Sequence, residues 1–268
     1  VHSLLGNVRD NLDKHLAYIE RARSLGVEIL AFPELSLTGY LLRDLAYELS
    51  DEFAVALEEL EKASKGMCVL AGVVEEVRWG VYRNSIAVIV DGRLEAFIPK
   101  LYLPNYGLFE ESRYFKEGDV EDIKVFSYKD LKFGVVVCED AWHPEPVELL
   151  ARLGADLVFI SSSSPLGGLY GRNDTSIERI WEAVNIARAV ENTVYVAFVN
   201  RVGVEDEEFF WGGSMVVSPD GEIVARGRRM EEDLVVADVS IHVIRRARRF
   251  SSFKEHREEL HKLLGEIS

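Results

Sequence analysis

One unit of sequence occurs twice in this chain and restricts what it can fold into. Ala22-Arg23-Ser24-Leu25-Gly26-Val27-Glu28-Ile29-Leu30 and Ala151-Arg152-Leu153-Gly154-Ala155-Asp156-Leu157-Val158 both run from a helical pattern through a glycine into an apolar stretch. Upstream of the first, Leu12, Leu16 and Ile19 recur at helical spacing over residues 11–23. A glycine at such a boundary readily takes the left-handed conformation that ends a helix, and residues 27–32 then read as a buried strand. Helices that feed apolar strands must pack on the sheets those strands join. Two such units imply two similar halves.

The remaining segments repeat the theme. Phe53, Ala56, Leu57 and Leu60 share one helical face ahead of Gly66, and residues 67–74 follow as a strand. Residues 133–137, 155–161 and 194–200 read as strands, separated by helices over 146–153 and 176–191. Thr175 and Glu178 pair as a capping box for the last helix, whose stripe Ile177, Ile180, Trp181 and Val184 is expected to be buried. Asp91-Gly92 lies between apolar runs 84–90 and 94–98, and Pro219-Asp220-Gly221 between 214–217 and 222–225; both are hairpin turns, so part of the sheet structure is antiparallel. The fold class is therefore a layered α/β domain with helices over the outer faces of its sheets. The tail, residues 241–268, is amphipathic and charged and reads as a packing or dimer helix.

Composition narrows the function classes. At 268 residues and 48% hydrophobic content the chain can bury a large core without needing a second domain, so one domain over residues 1–268 is expected. Its apolar runs, such as 133–137 and 157–160, fall far short of the roughly 20 residues of a membrane-spanning helix. No basic, apolar leader opens the sequence, and the surroundings of Cys68 and Cys138 differ too much for a disulfide framework, which makes a reducing cytoplasm the expected location. A net charge of -15 repels phosphate backbones, and the cluster Arg245, Arg246, Arg248 and Arg249 reads as a solvated helical face paired with the acidic excess. Abundant charge, few methionines and cysteines and no glutamine match heat-adapted proteins. His256 and His261 bracket Glu258 and Glu259, but five positions on a helix set them about 140° apart, which argues against a shared metal. Neither metal nor cofactor is expected.

Three residues stand where chemistry is plausible. Cys138 ends the strand pattern of 131–137 and is followed by Glu139-Asp140-Ala141-Trp142-His143-Pro144, so a buried strand hands directly to a turn and a helix. A residue there projects from the sheet edge, with backbone N–H groups behind it able to face a developing oxyanion. A plain core cysteine is the competing reading, and it is the one that fits Cys68 inside Met67-Cys68-Val69-Leu70. Glu34 stands just past the apolar run 29–32 at Pro33, where apolar neighbours would raise a carboxyl's pKa and suit it to accept a proton near neutral pH. Lys100 follows Phe97-Ile98-Pro99, an unusual place for a lysine unless its ammonium faces a pocket. Taken singly, Glu34 and Lys100 read as solvated loop residues. Three polar groups of different type at three strand ends read as one site.

These segments carry a resemblance. Glu34-Leu35-Ser36-Leu37-Thr38-Gly39-Tyr40, Lys100 with Leu103-Pro104-Asn105-Tyr106-Gly107-Leu108-Phe109, and Cys138-Glu139-Asp140-Ala141-Trp142 resemble, in this order, the Glu, Lys and Cys signatures of the nitrilase superfamily. Within it they are most similar to the glutaminase domains of glutamine-dependent NAD synthetases. The resemblance implies a four-layer α-β-β-α sandwich, extended by dimerisation, with Cys138 as nucleophile, Glu34 as general base and Lys100 beside the tetrahedral intermediate. It further implies that Tyr40, Tyr106, Phe109 and Glu139 line the substrate pocket and that a serine of the run 161–164, taken as Ser163, contacts the substrate's polar end. Arg172, in the glycine-rich loop ahead of Thr175, would hold an α-carboxylate. Either Glu110 or Glu111 would be the superfamily's auxiliary glutamate. The strand that usually precedes the segment matching Leu5-Gly6-Asn7 in that superfamily is expected to be missing from these residues.

The expected substrate is a small amide, L-glutamine or a related ω-amide, hydrolysed to a carboxylate and ammonia. A homodimer or higher homo-oligomer is the expected assembly. Because no Ser-Gly-Gly phosphate loop follows the amidase region, the chain is not expected to make NAD by itself, and a separate synthetase is a candidate partner for the ammonia. Nitriles are a rival substrate class, since a thioimidate at Cys138 would use the same three groups. A non-enzymatic binding module would need a damaged triad or an occluded pocket, and the intact residues argue against it. Serine-lysine amidases are a poor match, because their glycine-rich serine loop is missing.

Overall fold

Both copies of the repeated unit end their helices with the same backbone cap. In the first, Gly26 N–H bonds to Arg23 O and Val27 N–H to Ala22 O; in the second, Gly154 N–H bonds to Ala151 O and Ala155 N–H to Leu150 O. Gly26 has φ 73° and Gly154 φ 101°, the left-handed geometry that a side chain would strain. The computed structural model describes residues 1–167, 176–251, 262 and 265, except for the side chains of 50 and 51. Thr175, His256 and His261 lie outside the described residues.

The first half runs α1 (Val8–Ser24), β1 (Ile29–Ala31), α2 (Ser50–Ala63), β2 (Cys68–Arg78), β3 (Val81–Val90) and β4 (Arg93–Pro99). The second half runs β5 (Phe126–Tyr128), β6 (Leu131–Val137), α3 (Pro144–Arg152), β7 (Leu157–Ser162), α4 (Ser176–Asn192), β8 (Tyr195–Asn200), β9 (Val202–Glu205), β10 (Glu208–Trp211), β11 (Met215–Val217), β12 (Ile223–Arg226) and α5 (Ile241–Phe250). One sheet has the order β1-β2-β3-β4 and the other β12-β11-β8-β7-β6-β5. Each helix-to-strand unit delivers a strand that pairs in parallel, β1 on β2 and β7 on β6. The Asp91-Gly92 turn joins β3 to β4, both residues at positive φ, and the turn at Gly221 joins β11 to β12.

Alternation along the strands builds the layers. On β2, Cys68 and Leu70 face the second sheet, while Val69 and Ala71 pack with Leu12, Ile19, Phe53 and Leu60 of α1 and α2. On β6 and β7, Phe133, Val135, Val137, Leu157 and Phe159 join that inter-sheet core, while Val136, Val158 and Ile160 pack under α3 and α4 with Val147, Leu150 and Trp181. The order is helix, sheet, sheet, helix. Both faces of the central strands are covered, which is why they read as continuous apolar runs. α5 inserts Ile244 into the inter-sheet core, while Arg246 pairs with Asp220 at 2.6 Å and Arg248 with Asp156 at 3.0 Å. Among the described residues no helix is long and apolar enough to cross a membrane.

Two details differ from expectation, the α4 face and the β9–β10 hairpin. The buried line of α4 is Ile177, Trp181, Asn185, Arg188 and Ala189, with Ile180 and Val184 only half-buried. Arg188 turns inward because it donates to the carbonyls of the turn after β6. As expected, no strand precedes Leu5 among the described residues; beside Val1, an open slot of about 520 Å³ is lined by Ile29, Ala31, Met215 and Val235. The β9–β10 hairpin carries no Asn-Gly or Asp-Gly signal, turning instead at Asp206 with φ 53°.

Candidate active site

Glu34, Lys100, Cys138 and Ser163 each follow the last residues of a strand, β1, β4, β6 and β7 respectively. The Glu34 turn lies directly on β2: Leu37 N–H bonds to Gly72 O, and Ser36 N–H closes back on Pro33 O. Gly72 is required for this approach, because a Cβ there would sit 2.1 Å from Pro33 O and 2.4 Å from Leu35 N. Lys100 continues the ladder of β4, its N–H on Asn84 O.

The three chain segments meet in a buried charge cluster. Lys100 Nζ lies 2.7 Å from Glu34 Oε1 and 2.6 Å from Glu111 Oε1, and all three residues are buried. Asn84 Nδ2 also donates to Glu34 Oε1 at 2.8 Å, and Ser163 N–H donates to Glu34 Oε2 at 2.9 Å. Tyr40 Oη donates to Glu111 Oε1. Burial works against the Lys100 charge, but Glu111 and Glu34 outweigh it and hold the ammonium's pKa well above the ordinary lysine value. Burial pushes Glu111 up to about 7, against the pull of Lys100. Of the two candidate auxiliary acids, Glu111 is the one that reaches Lys100; Glu110 is exposed.

Cys138 opens a single turn, Cys138–Trp142, at φ 44°, a region that non-glycine residues seldom occupy and that tends to mark functional sites. Asp140 and Arg188 hold that turn from opposite ends. Asp140 Oδ2 accepts Val137 N–H at 3.0 Å, and its Oδ1 accepts Leu101 N–H at 3.0 Å and Tyr102 N–H at 2.9 Å. Arg188 donates to Ala141 O and Trp142 O, each at 3.0 Å. Cys138 Sγ lies 3.2 Å from Ser162 Oγ. Burial and the neighbouring Glu34 charge push the Cys138 thiol well above its ordinary pKa, while Lys100 and Ser162 pull it the other way. Cys68, buried in apolar surroundings, is pushed up to about 12.

Beside this cluster stands an aromatic wall. Tyr40 and Phe109 meet edge to face at 6.2 Å, as do Phe109 and Tyr106 at 5.5 Å, and Tyr106 Oη donates to Glu139 Oε2 at 2.7 Å. Tyr106 and Glu139 reach solvent, whereas Tyr40 is almost fully buried. Ser163 is also buried, its hydroxyl donating to Glu34 O at 2.8 Å. Arg172 lies outside the described residues.

Sequence reasoning missed Asn84, Asp140, Ser162, Arg188 and the pair Arg201–Glu205. Glu205 accepts the Tyr40 and Leu41 N–H groups and pairs with buried Arg201 at 2.5 Å, fixing the turn that carries Tyr40. Asp140, two residues past the cysteine, had a local signal. Ser162 stood in the serine run from which Ser163 was taken; the others meet the site across long stretches of chain and had none.

The carbon-nitrogen hydrolase family model matches residues 4–249. The glutamine-dependent NAD(+) synthetase of Thermotoga maritima is 35% identical over 243 residues, covering 88% of this chain and 40% of that protein. The solved structure of glutamine-dependent NAD+ synthetase from Acinetobacter baumannii with ADP superposes with a TM-score of 0.80 at 31% identity, covering 87% of this chain and 43% of that one. The chain thus spans about two fifths of the length of these synthetases. A mutant amidase from Nesterenkonia sp. AN1, with acrylamide added at its active site cysteine, superposes with a TM-score of 0.83 at 25% identity, covering 98% of this chain and 96% of that one.

Proposed function

Because the chain belongs to the carbon-nitrogen hydrolase family, we propose that it hydrolyses a small amide through a thioester on Cys138. The observation that carries this reading is the buried Glu34–Lys100–Glu111 cluster beside a cysteine on a left-handed turn. Glu34 takes the thiol proton as Sγ bonds to the amide carbon, and the carbonyl π electrons move onto oxygen. Lys100 and the Glu139 backbone N–H face that oxyanion, each well-placed donor contributing about 3 kcal/mol. Collapse breaks the C–N bond, and Glu34 returns its proton to the departing ammonia. Water, deprotonated by Glu34, then attacks the thioester; Cys138 leaves and the acid is released. Glu111 and Tyr40 hold Lys100 in register throughout.

L-Glutamine or a related ω-amide is the proposed substrate. Support comes from the synthetase relatives and from the Glu139 carboxylate at the solvent-facing end of the aromatic wall, suited to an α-ammonium. A second reading is a subunit that passes ammonia to a separate synthetase, favoured by relatives more than twice as long as this chain. The test is ammonia release across ω-amides, aliphatic amides and nitriles, with Cys138→Ala and Glu34→Gln as folded blanks. Cysteine-dependent release from glutamine supports the reading, and full activity in Cys138→Ala overturns the mechanism. Preference for a nitrile replaces the substrate, whereas stimulation by an added synthetase favours the second reading.

A further inference from the structure

We propose that Ser162 is a further catalytic residue, whose hydroxyl is the hydrogen-bond partner of the Cys138 sulfur before and after the thiol is deprotonated. This rests on Cys138 being the nucleophile. Strand geometry brings the two residues together: Val137 pairs with Ser161 in the parallel β6–β7 ladder, so the next residues, Cys138 and Ser162, emerge side by side at 3.2 Å. Ser162 is fully buried and held by the sheet, since it pairs with Asn200 of β8 and its carbonyl accepts Arg201 N–H at 3.0 Å.

The neighbouring serines are committed elsewhere. Ser161 donates to Phe32 O, Ser163 donates to Glu34 O, and Ser164 Oγ accepts from Trp181 Nε1. Among the described residues the Ser162 hydroxyl bonds only to the sulfur. Both of its capacities, one donor and two acceptor lone pairs, are open to that atom.

Glu34 is the proton's destination but not its resting partner. Its Oε1 already accepts from Asn84 and Lys100, and its Oε2 from Ser163 N–H. In the resting site the S–H group donates to Ser162 Oγ. When the proton passes to the Glu34 carboxylate, the hydroxyl turns about its C–O bond and donates O–H to the thiolate. No bond to Ser162 forms or breaks. A thiolate in this buried site, disfavoured by burial and by the Glu34 charge, is otherwise stabilised among these side chains by Lys100.

The test is alkylation of Cys138 by iodoacetamide in the full chain, read at that cysteine by peptide mapping between about pH 7 and 10, alongside amide turnover. Ser162→Ala is expected to slow alkylation about tenfold at each pH, a hydrogen bond to a charged group being worth roughly one pKa unit or more. It should lower kcat with KM unchanged. Ser162→Thr, which keeps the hydroxyl, is expected to stay near the wild-type rate, and Ser161→Ala, an equal deletion away from the sulfur, to match it. Ser162→Gly replaces the alanine variant if that variant does not fold. Wild-type alkylation in the hydroxyl-free variant, or a folded Ser162→Thr as slow as Ser162→Ala, overturns the proposal. Slowed alkylation in a protein inert to every amide removes the amidase reading and leaves this one. Amide turnover with unchanged alkylation does the reverse.

Discussion

Lys100 Nζ lies 2.7 Å from Glu34 Oε1 with neither side chain exposed to solvent, and the same nitrogen holds Glu111. Removing one partner from a buried ion cluster strands the others, a loss of about 3–5 kcal/mol. Lys100→Met therefore leaves two carboxylates facing each other without a cation. The expected result is loss of amide turnover together with a lower unfolding midpoint, measured by ammonia release and denaturant titration.

Glu111 gives the stability a pH dependence with a defined sign. Its folded pKa is raised from 4.5 to about 7, so between these values the folded state binds more protons than the unfolded state. Stability from this residue is present below about pH 4.5 and is lost as pH rises toward 7, by on the order of 1 kcal/mol per pH unit. Glu111→Gln removes this dependence. Denaturation of both proteins across that window should show the wild type losing stability relative to the variant as pH rises; parallel curves would refute the assignment.

Asp140 ties the Lys100 segment to the Cys138 turn through three backbone N–H groups. An asparagine has one oxygen, so either amide orientation points an NH2 at a donor. Asp140→Asn is expected to lose about 1–3 kcal/mol of stability for the orphaned N–H groups. Turnover should fall by about 100-fold, because misplacement of the two reacting groups relative to each other is costly. Steady-state kinetics and thermal unfolding of one preparation measure both.

Gly72 sets the height of the Glu34 turn over β2. The added methyl of Gly72→Ala meets backbone, not a flexible side chain, at Pro33 O and Leu35 N. Either β2 or the turn must move, at about 1–3 kcal/mol for overpacking. The expected outcome is a folded protein with sharply reduced kcat; wild-type kcat would show that the turn tolerates the displacement.

Much of the framework was legible because it rests on local interactions. The Gly26 and Gly154 caps bond within six residues, the Asp91-Gly92 turn needs only its own φ angles, and strands buried on both faces announce themselves as apolar runs. Helix α4 shows where local reading stops. Its apolar stripe suggested Val184 as buried, but Arg188 faces inward because the turn after β6 presents carbonyls to it, and Asn185 is buried as well.

Local sequence specifies the helix-to-strand units and which polar residues sit at strand ends, since each depends on neighbours a few bonds away. Long-range packing selects Glu111 over Glu110 to meet Lys100, places Ser162 and not Ser163 against the sulfur, and brings Glu205 to the Tyr40 turn. Ser163 reaches Glu34 across 129 residues of chain, and Glu205 reaches Tyr40 across 165. Such pairings follow from sheet register and from the packing of two sheets face to face. One residue of slip along β7 would exchange the faces of Ser162 and Ser163, and no local pattern in a run of four serines specifies that register.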